Sequence, residues 1–294
     1  MVKQVRMVIA LMALAACATA AAQAPLRVGS VTDARFQDDW TLDGNQMANT
    51  RAKLLNGANF GPGGIASRPI QITDTAGAVG SVDAALLANF DAFFIGYLDD
   101  PNANAFTASE LSAMQTWVNG GGTMIVTCDE SNYDAVCSQF GHPATSGSPG
   151  INPIVPTAAG AAHPIFTNVF GTVTSIVETG TKGAFTSTTG ATVLAEDSTP
   201  GTPLPVVMIQ TFGAGRVIFL ADVDLIANSL SAGSGISNQN DRFLGNLFAY
   251  VGGISGAPAP VITAPIPALS PGMLVLLALG LAAMALVTFR HRRG

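Results

Sequence analysis

Residues 107–127 read Thr-Ala-Ser-Glu-Leu-Ser-Ala-Met-Gln-Thr-Trp-Val-Asn-Gly-Gly-Gly-Thr-Met-Ile-Val-Thr. The stretch holds a helix, its stop and a strand. Thr107 and Glu110 stand at the T-x-x-E spacing of a capping box, in which each side chain takes the other's backbone N–H at a helix start. Leu111, Met114, Trp117 and Val118 then recur on one face. Gly120-Gly121-Gly122 stops the helix. Thr123–Thr127 is short, apolar or β-branched and bounded by turn formers, as buried strands are. Just upstream, Ala92-Phe93-Phe94-Ile95-Gly96-Tyr97 is another such run. Strand, capped helix and strand make a βαβ unit, which implies a parallel sheet with right-handed crossovers.

Outward from this unit the same signals recur. Leu26–Val31 and Pro69–Thr73 read as strands, each closing on an Asp (Asp33, Asp74), with a helix around Gln46–Leu55 and a turn-rich loop at 57–64 between them. In the later half, strands are expected at Thr172–Val177 and Ala191–Ala195. Val206–Thr211 and Arg216–Ala221 flank the hairpin turn Phe212-Gly213-Ala214-Gly215. A helix over Asn240–Val251 carries Phe243, Leu244, Leu247 and Phe248 on one side and ends at Gly252-Gly253. The predicted fold is α/β: a mostly parallel sheet flanked by helices, with hairpin strands added in the second half.

Composition narrows the class. Of 294 residues 48% are hydrophobic and 11% charged, with 13 basic and 19 acidic residues and a formal charge of −6. Hydrophobic content of this size argues against disorder, and the acidic balance argues against a nucleic-acid partner. Five of the basic residues, Lys3, Arg6, Arg290, Arg292 and Arg293, lie at the two ends; without them eight basic face all nineteen acidic residues, a formal −11.

The ends read as addresses. Lys3 and Arg6, the apolar run Met7–Ala16 and small residues to Ala24 have the layout of a secretory signal peptide over residues 1–22, cleaved after Ala22 or Ala24. Leu14-Ala15-Ala16-Cys17 leaves a lipoprotein signal as the alternative. The domain is expected over 25–255, followed by a Pro/Ala-rich linker at 256–272. Next come an apolar stretch of bilayer-spanning length, Met273–Phe289, and a basic cytoplasmic end at 290–294. Ile266-Pro267-Ala268-Leu269-Ser270, set before the apolar stretch and the Arg-rich end, resembles the IPTL-CTERM sorting signal, a relative of PEP-CTERM tails. The resemblance implies an exosortase-type protease as partner and passage from the inner membrane to the cell envelope or surface. It departs from the pattern where Ala268 replaces Thr and Pro271-Gly272 replaces a Trp-Gly pair.

Three passages of the central domain carry a second resemblance. They are Phe90–Ile95 with the capped helix and Gly120–Val126; His163-Pro164-Ile165-Phe166; and Phe212–Asp222 with the final helix. Together they resemble the class I glutamine amidotransferase-like domain of flavodoxin-like architecture. In catalytic members a Cys sits on the turn after the strand that follows the Gly-rich stop, and Cys128 falls at about that position. Its neighbours are Thr127 and Asp129 rather than glycines, and adjacent carboxylates raise a thiol pKa. A base is scarce: outside the tail only His142 and His163 remain, and His163 is the weak partner candidate. Cys128 and Cys137 can instead form a disulfide if the segment between them turns; inert thiols and a catalytic thiol stay open beside it.

Acidic residues offer another site. Asp33, Asp74, Asp99, Asp100, Asp129, Glu130, Asp222 and Asp224 fall at the expected C-terminal ends of strands. In a parallel sheet those ends share one rim, where open α/β folds place ligands. Asp33, Asp99, Asp129, Asp222 and Asp224 are therefore candidate ligands for Ca²⁺ or Mg²⁺, against the plainer role of Asp at strand-to-loop junctions. No cofactor is otherwise implied. The sequence thus points to an exported, envelope-sorted, non-catalytic binding or surface module of unknown ligand. Its alternative is an extracytoplasmic hydrolase using Cys128 or a divalent metal.

Overall fold

The computed structural model describes residues 23–254 except 34, 37–39, 76, 78–79, 99–105, 129–134, 150–152, 180 and 199–202. These residues belong to a single compact unit. Twelve strands are described: β1 Leu26–Val31, β2 Ile70–Thr75, β3 Ala92–Ile95, β4 Thr123–Thr127, β5 Ala144–Pro149, β6 Ile154–Pro156, β7 Thr167–Asn168, β8 Gly171–Thr172, β9 Thr181–Phe185, β10 Thr192–Asp197, β11 Pro205–Phe212 and β12 Gly215–Leu220.

Eight of them form one sheet in the order β2-β1-β3-β4-β12-β11-β10-β6. The first five are parallel to one another, and their order is that of a flavodoxin-like doubly wound sheet. β11, β10 and β6 then add antiparallel strands. The fold is therefore mixed α/β with a large sheet, and the hairpin of the second half extends it. β5 pairs with β9, and β7 with β8, in two small ribbons.

The strands are buried on both sides, and the pleat divides their side chains between two cores. Val28, Phe94, Ile125 and Ile218 face one way, onto Leu54 of the helix Ala48–Leu55 and onto Phe243, Leu244, Leu247 and Phe248 of the helix Gln239–Val251. Phe93, Met124, Val126, Val217 and Phe219 face the other way, onto Met114 and Val118 of the helix Ala108–Asn119. Val136 and Cys137 of the short helix Ala135–Gln139 join that second core. Helices Ala84–Leu87 and Ala158–Ala161 are single turns.

The capping box is formed as the spacing predicts. Thr107 Oγ1 accepts from the Glu110 N–H at 3.2 Å, and Glu110 Oε2 accepts from the Thr107 N–H at 2.8 Å. Glu110 has a second task. Its Oε1 accepts from Arg35 Nη1 at 2.7 Å and from the Val82 N–H at 3.2 Å. The guanidinium of Arg35, fully buried, also binds both oxygens of Asp33 and lies 4.3 Å over the Phe106 ring. At the hairpin, Gly213 takes φ +57°, and a Cβ there would strike the Asn119 carbonyl, so the turn docks against the end of the capped helix.

Several expectations are corrected. The strand expected at Thr172–Val177 is a two-residue strand plus one bridge, Ile176 to Ile154, because the Val177 N–H and C=O bind the side chain of Asn240 instead of a neighbouring strand. The helix expected over Gln46–Leu55 starts as a 3-10 turn, Asn45–Met47. A transmembrane helix is withdrawn from the fold: among the described residues no helix is long and apolar enough to cross a membrane. The stretch Met273–Phe289 assigned to it lies outside them, as do residues 1–22 and the motif Ile266–Ser270. The leader and sorting readings therefore have no structural support.

Replacing Glu110 by Ala removes a cap and half of the counter-charge of a buried guanidinium. It is expected to cost about 3–5 kcal/mol in urea unfolding, as for other broken buried pairs. Thr107→Ala, which removes the cap alone, is expected to cost about 1 kcal/mol.

Candidate functional site

The parallel strands bring their C-terminal ends to one edge. Register fixes which residues meet there. Ser30 lies beside Asp74 on one side and Phe94 on the other, and Thr127 lies beside Leu220. The strand order reverses between β1 and β3, the switch point where open α/β folds hold ligands. Here the chain itself crosses that point. The Trp40 carbonyl sits so close to Gly96 that a Cβ on Gly96 would overlap it, and Trp40 packs edge-on to Tyr97 at 6.5 Å.

Beside this crossing is a group of polar atoms without hydrogen-bond partners. Ser30 Oγ, Thr32 Oγ1, Thr41 Oγ1 and Asp74 Oδ1 are all buried and unpartnered. The other oxygen of Asp74 accepts from Arg51 Nη1 at 2.5 Å, and the same nitrogen reaches the Leu42 carbonyl at 3.2 Å. Leu42, the neighbour of Thr41, is thereby tied to β2. Burial raises the Asp74 pKa, with Arg51 opposing. Each buried polar group left unpaired costs roughly 1–3 kcal/mol, so these four are not explained by stability alone.

Cys128 and Cys137 are joined by a disulfide, with Cα atoms 6.1 Å apart. Both residues are fully buried in the second core. The Cys128 N–H still donates to the Leu220 carbonyl at 2.7 Å, so the backbone has not left the sheet where a nucleophile would have to turn outward. His163 is no partner for it. Its Nδ1 accepts from the Ile165 N–H at 3.2 Å and its ring stands 4.8 Å from that of Tyr250, which packs on the first core. Burial, with help from Arg216, lowers the His163 pKa, in keeping with a neutral acceptor ring. His142 is equally committed, between the Ser187 carbonyl at 2.9 Å and Gln210.

The candidate metal ligands do not converge. Asp33 is bound by Arg35, and Asp99 and Asp129 lie outside the described residues. Among the described residues no group of three or more His, Cys, Asp or Glu side chains is placed to hold a metal. Asp222 and Asp224 do adjoin, but in a carboxyl cluster with Glu178, a residue that the sequence reading missed. Asp222 is 2% exposed and Glu178 3%. The Asp224 N–H donates to Asp222 Oδ1 at 2.8 Å, and the Asp222 N–H reaches Glu178 Oε1 at 3.4 Å. Burial first, then the hydrogen bond and charge of Asp222, push the Glu178 pKa far up; burial raises Asp222 as well. Asp224 is raised to about 6 by burial and by the charge of Asp222. No local signal flags Glu178, which sits in a Thr/Ser/Val-rich run.

Solved structures of related shape include a ThuA-like protein from Bacteroides uniformis, 15% identical at a TM-score of 0.49, over 80% of this chain and 94% of that one. A ThuA-like protein from Parabacteroides merdae is 10% identical at 0.47, over 81% and 94% of the two chains. A β-galactosidase from Bacillus circulans is 16% identical at 0.46, covering 78% of this chain but 31% of the galactosidase. No protein-family model and no curated protein sequence matches the chain.

The carboxyl cluster sets a pH dependence. Raised acids favour the folded state only while protonated. Their contribution is whole below the ordinary carboxylate range near pH ~4 and is lost as pH rises, that of Asp224 by about 6. Asp91, Glu110 and Asp241 act oppositely. Against their burial, hydrogen bonds hold their pKa values down, so their contribution is lost as pH falls below that range. Unfolding midpoints are expected to be highest in mild acid and to fall toward roughly pH 8. Glu178→Gln, which keeps a donor without the charge, is expected to flatten the alkaline side.

Proposed function

We propose that this chain is an extracytoplasmic, non-catalytic binding module on a glutamine amidotransferase-like α/β fold. It takes a small polar ligand at the sheet edge next to β1 and β2. The observation that carries the non-catalytic reading is the Cys128–Cys137 bridge, which removes the one cysteine positioned as a nucleophile. A disulfide also suits an oxidising compartment. A hydrolase that uses Cys128 needs a free, exposed thiolate, and one that uses Asp222 and Asp224 as metal ligands needs ionised carboxylates. The bridge opposes the first, and burial, which favours the neutral forms of Asp222 and Asp224, opposes the second.

The binding reading rests on Ser30, Thr32, Thr41 and Asp74. Buried polar groups in folded proteins have partners in nearly every case, and a polar guest supplies those that the fold leaves out. Hydroxyls and a carboxylate held by Arg51 suit a ligand that both donates and accepts, such as a polyol or sugar.

Two experiments test the reading. Peptide mass spectrometry after N-ethylmaleimide treatment should find Cys128 and Cys137 unmodified, and both modified once reductant is added. Neither form should hydrolyse glutamine or p-nitrophenyl acetate. Hydrolysis that appears on reduction and vanishes on alkylation of Cys128 overturns the proposal. The second experiment is Thr41→Val, which swaps an unpaired buried hydroxyl for a methyl of similar shape. It should stabilise the ligand-free protein by about 1 kcal/mol and abolish any polyol-dependent rise in unfolding midpoint.

A further inference from the structure

The two edges of the large sheet differ. At one end β6 is three residues long, and Ile176 covers it, with the N–H and C=O of Ile154 both bonded to Ile176 at 2.9 Å. At the other end β2 runs for six residues. The Leu26 N–H donates to the Pro69 carbonyl and the Thr32 N–H to the Thr75 carbonyl. In a parallel pair this assigns the odd-numbered residues of β2 to β1. The N–H and C=O groups of Ile70, Ile72 and Asp74 therefore point away from the sheet, and among the described residues none bonds to them.

Proteins guard such edges with lysines, prolines, bulges or inward charges. β2, Ile-Gln-Ile-Thr-Asp-Thr, has none of the first three, and its one charge, Asp74, is held by its own Arg51. Gln71 and Thr73 are both exposed. Leu55, at the end of the helix that packs on this strand, is 46% exposed. The ends of the strand carry opposite charge. Near its start Arg27 and Arg68 share Asp91, a net +1. Near its end Asp43 and Asp74 share Arg51, a net −1.

We propose that the outer edge of β2 pairs two copies of this chain, antiparallel about a two-fold axis at Ile72. The pattern of outward groups fits this register. Ile72 meets the partner's Ile72, and Ile70 meets the partner's Asp74, so every hydrogen-bonded position is an outward-facing residue on both strands. Antiparallel pairing also sets the basic start of one strand against the acidic end of the other; parallel pairing would set like against like. Gln71 falls opposite the partner's Thr73 at the non-hydrogen-bonded positions, where side chains are closest. One strand pair is smaller than the roughly 1,200–2,000 Å² of a stable interface, which places dissociation in the micromolar range.

Sedimentation of the full-length chain tests this. The mass is expected to double as concentration rises through the micromolar range. Q71K/T73K sets lysine against lysine at both of these cross-strand pairs and should weaken the dimer about tenfold. Both positions line an open cleft of about 270 Å³, so the unfolding midpoint should not change. Q71K/T73E instead sets a cation against an anion at each of the two pairs and should restore the dimer. A mass of one copy at every concentration overturns the proposal, as does a dimer indifferent to Q71K/T73K or one that Q71K/T73E also breaks.

Discussion

The fold turns on a guanidinium that water never reaches. Arg35 is clamped between Asp33, which follows β1, and Glu110, in the first turn of the helix before β4. A buried cation with a missing partner costs several kcal/mol, so these segments assemble together or not at all. The clamp ties the end of β1 to the helix that crosses from β3 to β4, which holds the strands in the order β1-β3-β4. Lys53 does the equivalent on the opposite face. Fully buried, its Nζ meets Ser231 Oγ, the carbonyls of Gly233 and Gly235, and Asp241 at 3.3 Å. It thereby fastens a loop with two glycine carbonyls to the start of the final helix. Each face of the sheet thus has one dry cation that locks its layer.

Bases are the scarce resource of this chain, and their placement explains its electrostatics. Once the ends are set aside, eight basic residues serve nineteen acidic ones. The described ion pairs draw on Arg27, Arg35, Arg51, Lys53 and Arg68, all in the first third of the domain. Of the later basic residues, Arg216 lies over the Tyr250 ring instead. Of the acids buried in the second half, Asp241 meets Lys53, whereas Glu178 and Asp222 adjoin each other, and burial pushes the pKa of both up. Burial and mutual charge therefore disfavour the ionised forms of Glu178 and Asp222 at this end of the sheet.

Legibility in the sequence followed the same division. The parallel strands could be read because strands buried on both faces are continuous apolar runs, and the capped helix because its signal is local. Single-turn helices such as Ala84–Leu87 and Ala158–Ala161 are too short to show a period. Thr172–Val177 has strand composition, yet its hydrogen bonds go to Asn240, a partner more than sixty residues away. The same limit hid the site. Nothing beside Arg35 announces Glu110, and nothing beside Glu178 announces Asp222, since these partners come from other elements. The Cys128–Cys137 bridge was open for a like reason: nine residues permit it only if the intervening chain folds back, and that depends on how Ala135–Gln139 packs on β4.

That packing also decides what the edge can do. A nucleophile after β4 would need the backbone to break from the sheet and lift its side chain to the rim. Cys128 instead keeps its bond to Leu220, and its side chain is buried in the core that holds Val126, Val136 and Phe219. The reactive position has become part of the core. Part of the polarity that the fold leaves unsatisfied lies instead on and beside β1 and β2, at Ser30, Thr32, Thr41 and Asp74. Asp74 belongs to two places at once. Its carboxylate accepts from Arg51, while its backbone N–H and C=O face outward along the free edge of β2. Any contact that fixes the carboxylate would therefore also fix the last outward-facing residue of that edge, because both groups belong to one residue.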